Sequence, residues 1–168
     1  MKLRIHTWPE KILKKKTSVV ENIDADIKQK LDEMLSLMRV SQGAGLAGNQ
    51  AGLDLQLVVI EVQGKVYKLV NPVIIEKKGK IIFREGCLSF PGLELDIKRF
   101  KEVSVRALDD QGQELIIHAE DLLAVVLQHE IDHINGIAFV SRASLFQRIK
   151  TYPALRKIIK NTQKNISA

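Results

Sequence analysis

Two histidines four residues apart, His129 and His133, stand with Glu130 in the pattern H-E-x-x-H. On an α-helix, residues with this spacing leave the same face, about 6 Å apart along the axis. Such a pair can bind one metal ion, and the glutamate can then take a proton from a water molecule on that ion. The alternative is a buried helix whose two imidazoles are satisfied by hydrogen bonds. The surrounding sequence must decide between the two.

The residues around this pair predict one helix, from about 119 to 135. Acidic residues at its start suit the positive end of a helix, and a glycine just after it is a natural stop. Leu122, Val125 and Val126 precede His129 by seven, four and three positions, so they share its face. We therefore expect an apolar wall beside a metal held by the histidines.

A catalytic metal usually needs a third protein ligand. No Asp, Glu, His or Cys follows His133, and Phe139 stands where the longer H-E-x-x-H-x-x-G-x-x-H pattern has its third histidine. The ligand must therefore come from upstream. Cys87, the only cysteine, is the first candidate, although a lone cysteine can also be a small buried hydrophobe. His6, His118 and the upstream acids are the remaining candidates.

A glycine-rich stretch occupies residues 41–50. Its glycines and alanines would let the backbone approach a ligand closely. It is not a phosphate loop, because it lacks both the P-loop lysine and the Rossmann spacing. Its most useful member is Gln50, whose side-chain amide can donate to a developing oxyanion. A flexible loop without a chemical role is the alternative.

The bulk properties favour one globular domain. The chain has 168 residues, enough for a single core, and we expect one domain over 1–168. No apolar run reaches the length of a membrane span, and the N-terminus lacks the apolar core of a secretory signal. A single cysteine cannot form an internal disulfide, which fits a reducing compartment. We therefore expect a cytoplasmic location.

The net charge of +6 is concentrated at the C-terminal end. Residues 133–168 contain seven Lys and Arg and no acidic residue. Such a basic patch attracts phosphate-rich partners, RNA above all. A solvated amphipathic helix would have the same composition. We predict a basic helical tail over 145–168.

Strand-like runs occupy the middle of the chain and are separated by tight turns. The predicted strands are 55–62, 66–70, 73–76, 80–83, 103–107 and 114–118. The first two should form a hairpin, and the last two should be joined by an Asp-Asp-Gln-Gly turn. Such connections favour antiparallel sheets. The predicted class is therefore α+β, with antiparallel sheets packed around a central helix that carries H-E-x-x-H.

Two further helices and one strand complete the prediction. The first helix is capped by Asp24 or Asn22 and continues to about Arg39. Five of its residues have helical spacing and should face the core: Ile27, Leu31, Met34, Leu35 and Met38. A short strand should cover 137–140. Pro153 should separate a helical turn from a final helix, whose apolar stripe is Leu155, Ile158 and Ile159.

Three segments of the sequence together resemble the peptide deformylase family. That family carries G-x-G-L-A-A-x-Q, then E-G-C-L-S, then Q-H-E-x-D-H-x-x-G, and the matching segments here are 43–50, 85–89 and 128–136. The helical tail is similar to that of the bacterial class with a C-terminal helix. Two positions depart from the pattern. Gly48 replaces an alanine and would loosen the loop that orients Gln50, whereas Ser141 replaces a common acid.

The resemblance implies a metal held by a water molecule and three side chains, Cys87, His129 and His133. The working ion in the family is commonly Fe²⁺, and Zn²⁺, Ni²⁺ or Co²⁺ can occupy the site. Thiolate and imidazole ligands independently favour such late first-row ions. Glu130 would be the general base and then the general acid. Gln50 and the backbone N–H of Leu88 would stabilise the oxyanion.

The implied reaction is hydrolysis of the N-formyl group from N-formylmethionyl nascent polypeptides, which releases formate. The methionine side chain would need an apolar pocket, formed by Leu122, Val125, Val126 and Ala44. Gly43 and Gly45 would pair with the peptide backbone as an added strand. The resemblance also implies that the basic tail docks near the ribosomal exit tunnel, and we expect a monomer without membrane contact.

Two other interpretations stay open at the level of sequence. One is a general metallopeptidase, against which the absence of a downstream ligand argues. The other is a metal-binding, ribosome-associated protein without turnover, disabled at Gly48.

Overall fold

The structure, a computed structural model, describes residues 3–167. Within these residues, seven strands follow one another: β1 (Gly45–Ala47), β2 (Leu57–Val62), β3 (Lys65–Lys78), β4 (Ile81–Gly86), β5 (Glu94–Arg99), β6 (Glu102–Leu108) and β7 (Glu114–Glu120). The α-helices of the same range are α1 (Ala25–Val40), α2 (Asp121–Ile134) and α3 (Leu145–Ser167). Short 3₁₀ turns cover Lys11–Lys14, Gly48–Ala51 and Phe139–Arg142.

The first helix begins and packs as predicted. The Asp24 carboxylate accepts a hydrogen bond of 2.9 Å from the N–H of Ile27, which satisfies one donor of the first turn. All five predicted core residues of α1 are buried. They share a core with residues of β1 and β2, among them Leu46, Leu57 and Val59.

Five strands form one antiparallel sheet in the order β1-β2-β3-β6-β7. The predicted hairpin of β2 and β3 is confirmed, and its turn residues Gln63 and Gly64 both have positive φ, as a tight type I′ connection requires. The predicted hairpin of β6 and β7 is confirmed too. The two runs 66–70 and 73–76 belong to one long strand, β3, whose register shifts between Val70 and Val73.

The strand β4 pairs with β5 in a separate two-stranded sheet. Sequence reasoning missed β5, although its inward positions alternate as Leu95, Ile97 and Arg99. The buried arginine breaks the apolar pattern by which a half-buried strand is recognised. This strand bears on function, because it pairs with β4, which ends directly before Cys87.

The helix α2 lies against the five-stranded sheet and is almost entirely buried after its first turn. Its Leu127, Ile131 and Ile134 share a core with β2, β3 and β6. This places the H-E-x-x-H segment inside the molecule and confirms the predicted α+β class. Among residues 3–167, no helix is long and apolar enough to cross a membrane.

The prediction was wrong at two places after α2. Residues 137–140 form no strand, because Phe139 starts a 3₁₀ turn that buries its ring. Pro153 does not divide the tail, since α3 continues through it. A proline removes one backbone hydrogen bond, and Ile149, whose carbonyl is left without this partner, is an exposed residue. The predicted apolar stripe is confirmed for Leu155 and Ile158, which pack into a third core with Phe90 and Phe139, whereas Ile159 is half-buried outside that core.

Candidate metal and catalytic site

Three side chains from two distant segments converge inside the molecule. The ligand atoms of Cys87, His129 and His133 all lie within 4.8 Å of one another. The Cys87 Sγ is 3.2 Å from His133 Nε2, and the two imidazole ring centres are 5.0 Å apart. The histidines come from α2, and the cysteine follows directly after β4. Among residues 3–167 this is the one such cluster of metal-binding side chains.

The other candidates for a third ligand lie elsewhere. His6 Nδ1 is 2.6 Å from a carboxylate oxygen of Glu10, and His118 Nδ1 is 3.0 Å from Ser104 Oγ. Ser104 and His118 line a separate cleft of about 660 Å³ on β3, β6 and β7, which contains no residue of the cluster. Of Cys87, His6 and His118, the structure therefore brings Cys87 alone to the histidine pair.

The donor set fits a late first-row metal ion. His129 Nδ1 is 2.7 Å from Glu85 Oε2, which leaves the Nε2 atom of this imidazole for a metal. Burial lowers the pKa of His133 well below its usual value, so this ring is neutral, as a ligand must be. One thiolate and two imidazoles are soft and borderline donors, unsuited to Mg²⁺ or Ca²⁺.

Glu130 is the acid that the site leaves unpaired. It is 4% exposed, and its Oε2 atom has no hydrogen-bond partner among the described residues. Burial raises the pKa of Glu130 to about 7. A carboxyl group with such a pKa can both accept and donate a proton near neutral pH. Its space depends on Gly45, where a Cβ atom would lie 2.5 Å from Glu130 Oε1.

Two hydrogen-bond donors stand beside the cysteine. The Oε1 atom of Gln50 accepts from the N–H of Ala47 at 2.9 Å, so its amide nitrogen points to Ser89 Oγ at 3.2 Å and Cys87 Sγ at 3.5 Å. The N–H of Leu88 has no partner among residues 3–167. Both groups are therefore placed to donate to an oxygen atom near the cluster.

The loop that carries Gln50 is not loosened by Gly48, contrary to the expectation from sequence. Gly48 is buried, and a Cβ atom at this position would clash with the carbonyl oxygen of Leu55. Asn49 next to it donates a hydrogen bond to the backbone carbonyl of His133. The glycine permits a close approach that fixes the loop against the rest of the protein.

A cavity of about 440 Å³ opens beside the cluster. All six residues predicted to bind substrate line it: Gly43, Ala44, Gly45, Leu122, Val125 and Val126. The same cavity is lined by five residues of the predicted metal and catalytic site: Gln50, Cys87, Leu88, His129 and Glu130. His133 does not line it. Sequence reasoning missed Phe83 and Arg84 before the E-G-C-L-S segment, and Pro91 and Gly92 after it. Their closeness in sequence to Cys87 was the available signal.

A network of buried charged side chains adjoins the cluster through His129, and it was not predicted from the sequence. Glu85 accepts two hydrogen bonds from Arg99, at 2.7 and 2.9 Å, in addition to its contact with His129. Arg99 also donates to Asp132 at 2.5 Å, and Arg142 donates twice to the same carboxylate, at 2.6 and 3.1 Å. Burial alone would raise the pKa of Glu85, but the bonds from Arg99 and His129 lower it. Glu85 is therefore a carboxylate, which orients the His129 ring.

The N-terminal arm, residues 3–24 before α1, supports the same site. The N–H of His6 donates to the carbonyl of Gln50 at 2.8 Å, and the N–H of Trp8 donates to the carbonyl of Ser89 at 2.9 Å. These two bonds attach the arm to the loop that carries Gln50 and to the loop that carries Ser89. The Trp8 ring stacks on Phe90 with centres 5.4 Å apart, so aromatic packing adds to the attachment.

A Cys-His-His cluster and a partner-free glutamate, with three of these four residues on an H-E-x-x-H helix that packs against an antiparallel sheet, define a metal-dependent hydrolase. The model of the polypeptide deformylase family matches residues 2–148. The chain is 39% identical over 160 residues to a peptide deformylase of Aquifex aeolicus (strain VF5), covering 92% of this chain and 95% of the relative. It is 40% identical over 167 residues to that of Helicobacter acinonychis (strain Sheeba), with 95% of each chain covered.

Solved structures agree in fold. The peptide deformylase of Thermus thermophilus has a TM-score of 0.90 at 35% identity, and 96% of this chain and 97% of that chain are covered. The enzyme of Legionella pneumophila has a TM-score of 0.88 at 38% identity, with 96% of each chain covered. That of Synechococcus elongatus, solved in complex with actinonin, has a TM-score of 0.85 at 33% identity, covering 96% of this chain and 88% of that one.

The chain belongs to the polypeptide deformylase family. It is a metalloenzyme that hydrolyses the N-formyl group of N-formylmethionyl nascent polypeptides and releases formate. This decides against both a general metallopeptidase and a binding protein without turnover.

Proposed function

We propose that Cys87, His129 and His133 bind the catalytic metal, and that Glu130, Gln50 and the N–H of Leu88 carry out the hydrolysis beside it. The observation that supports this assignment is the convergence of the three ligand atoms within 4.8 Å, although Cys87 and His129 are 42 positions apart in sequence. When bound, the metal would polarise the formyl carbonyl and activate a water molecule for attack. The remaining steps depend on the residues around it.

Glu130 moves the proton. Its unpaired carboxylate takes a proton from the attacking water and later gives it to the departing amine, which becomes the new N-terminus of the peptide. The pKa of about 7 suits both roles, because a base and an acid of this strength are present together near neutral pH. The burial of Glu130 limits its contact with bulk water.

Gln50 and Leu88 stabilise the oxygen atom on which negative charge develops. The amide nitrogen of Gln50 is aimed at the site because its oxygen is held by the N–H of Ala47. The N–H of Leu88 is free to donate from the other loop. Removing one such donor typically lowers kcat by about 10²–10³-fold.

The substrate binds along β1 with its first side chain against α2. Leu122, Val125 and Val126 supply the apolar wall that a methionine side chain requires. The strand β1 pairs with β2 on one side only, so its other edge is open in the described structure. The backbone of Gly43 and Gly45 can therefore pair with the peptide as an added strand, with Ala44 contacting its side chains.

We propose Fe²⁺ as the native ion, with Zn²⁺, Ni²⁺ or Co²⁺ as possible replacements. One thiolate and two imidazoles support any of these ions, and a ferrous ion fits a reducing compartment. The single cysteine, which cannot form an internal disulfide, supports a cytoplasmic location. We further propose a single domain over 1–168 that acts as a monomer.

Formate release and metal content together test the residue assignment. Protein prepared without oxygen should release formate from formyl-Met-Ala-Ser. Glu130→Gln should keep a stoichiometric metal and lose turnover by at least about 10²-fold, whereas Cys87→Ala should lose the metal itself. A Cys87→Ala protein that retains one tightly bound metal ion would show that the ligand assignment is wrong.

We also propose that α3 docks near the ribosomal exit tunnel, where the substrate emerges. Arg156, Lys160 and Lys164 are exposed, and residues 133–168 contain no acid to compensate them. Exposed apolar residues, Leu145, Phe146, Ile149 and Tyr152, precede them on the same helix. A surface with both properties is unusual for a helix without a partner.

Co-sedimentation tests this docking. Deletion of α3 would also expose the core around Ile158, so substitution is the better change. The triple variant Arg156→Gln, Lys160→Gln and Lys164→Gln should lose co-sedimentation with ribosomes at low salt and keep its activity on formyl-Met-Ala-Ser. Unchanged co-sedimentation would argue against the basic tail as the docking element.

A further inference from the structure

A second cavity shares a wall with the active-site cavity. It has a volume of about 520 Å³ and lies between α3 and the turn at Pro91 and Gly92. These two residues line both cavities. We call the second cavity the α3 groove, and its other main lining residues are Lys157, Ile158, Asn161 and Thr162. The groove is thus a direct neighbour of the site where the formyl group is removed.

The floor of the α3 groove is fixed by packing. Ile158 is 7% exposed and belongs to the core around Phe90 and Phe139. Thr162 is 5% exposed, and its hydroxyl is 2.9 Å from the hydroxyl of Thr7 in the N-terminal arm. The groove is therefore preformed and would need no rearrangement to receive a ligand.

The wall on α3 carries polar groups without partners. Among the described residues, neither the Lys157 ammonium nor the Asn161 amide makes a hydrogen bond or ion pair. No acidic residue occurs between 133 and 168. An exposed cation of this kind attracts an anionic group that enters the groove, and the neighbouring amide can pair with a peptide backbone.

The turn between the two cavities presents an open surface. Gly92 has a φ of +76°, and a Cβ atom at this position would meet no atom within 4 Å. The space above residue 92 is therefore open. A chain that leaves the active-site cavity would meet no obstruction at this position.

The substrate itself supplies the occupant. A nascent polypeptide places its formylated N-terminus beside the metal, and its following residues must leave through the open side of the cavity. We propose that the α3 groove binds these downstream residues and favours an acidic side chain there, through Lys157. The proposal rests on the site assignment above, because it takes the 440 Å³ cavity as the place where the N-terminus binds.

A peptide series tests the preference. Formyl-Met-Ala-Ser would be extended to about ten residues with alanine and serine, and a single Asp or Lys would be moved through the positions after the serine. For the natural sequence, KM should be about two- to fivefold lower with Asp than with Lys at one or two adjacent positions, the range that an exposed ion pair gives. The kcat should not change, and salt at about 0.5 M should remove the difference.

The variant Lys157→Glu should reverse the preference at those positions. The matched control is Lys160→Glu, which makes the same change of charge on the exposed surface of the same helix but outside the groove. The proposal is overturned if no position prefers Asp, or if Lys160→Glu shifts KM as much as Lys157→Glu. The unextended formyl-Met-Ala-Ser peptide should be hydrolysed equally by all three proteins. Failure of the natural sequence on that peptide would instead contradict the site assignment.

Discussion

Gly45 leaves no room for a side chain opposite the proposed general base. A Cβ atom there would lie 2.5 Å from Oε1 of Glu130, so Gly45→Ala must displace the carboxylate. A misplacement of about 1 Å in a catalytic group can cost about 10²-fold in rate. We expect kcat/KM on formyl-Met-Ala-Ser to fall by about that factor, with metal content unchanged. If the variant keeps its full rate, Glu130 is not the base or does not need its observed position.

The candidate roles of His129, Glu130 and His133 were predictable from sequence, because the H-E-x-x-H spacing places both histidines on one face of a helix. Cys87 was the first candidate for the third ligand because no ligand follows His133, and the family resemblance then selected it over the other candidates. The network behind the site was not predictable. Arg99 reaches Glu85 only because β4 and β5 pair, and a single sequence does not state which strands pair.

At the scale of elements, Arg99 connects three parts of the fold. It lies on β5 and bonds to Glu85 on β4 and Asp132 on α2, with all three side chains buried or nearly so. Arg99→Leu would remove the guanidinium that forms ion pairs with both Glu85 and Asp132. Breaking a buried pair in this way costs about 3–5 kcal/mol of stability. Because Glu85 orients His129, metal affinity should also fall by about 10- to 100-fold.

Urea unfolding and metal titration measure these two effects. The matched control is Arg84→Leu on β4, which removes exposed pairs with Glu94 and Asp96. Exposed pairs contribute about 0–1 kcal/mol, so the control should lose little stability. Equal losses in the two variants would contradict the assigned role of the buried network.

The predicted elements failed where burial overrode a local rule. Pro153 lies within α3, and Leu155 and Ile158, which follow it in the helix, pack into the core and hold the helix on the C-terminal side of the lost hydrogen bond. Phe139 lies in a 3₁₀ turn, because its ring fills the space beside His129 and Phe90. Hairpins with Gly in the turn were predicted correctly, because their signal is local.

At the scale of the whole molecule, the N-terminal arm joins the loops on both sides of the cavity, and Glu10 holds that arm in shape. The Glu10 carboxylate accepts from Arg4 at 2.7 and 3.1 Å and from the N–H of Thr7 at 2.9 Å, and it lies 2.6 Å from His6. Burial alone would raise the pKa of Glu10, but these bonds lower it from 4.5 to about 2. The folded state therefore favours the charged form of Glu10.

This shift determines how the stability contributed by Glu10 depends on pH. A carboxyl group whose pKa is lowered by folding stabilises the protein above its unfolded pKa of about 4.3, and the contribution is lost as the pH falls towards its folded pKa. Glu10→Gln should therefore be less stable than the natural sequence at neutral pH, with a difference that shrinks steadily as the pH falls below 4.5. Urea midpoints of both proteins from neutral pH down to about pH 3 measure the difference.

The control is Glu21→Gln. Glu21 is an exposed glutamate later in the arm without a hydrogen bond among the described residues, so no such trend should occur for this variant. A Glu10→Gln difference that stays constant with pH would show that the carboxylate charge does not hold the arm, and the link between the arm and the Gln50 loop would then depend on its backbone bonds alone.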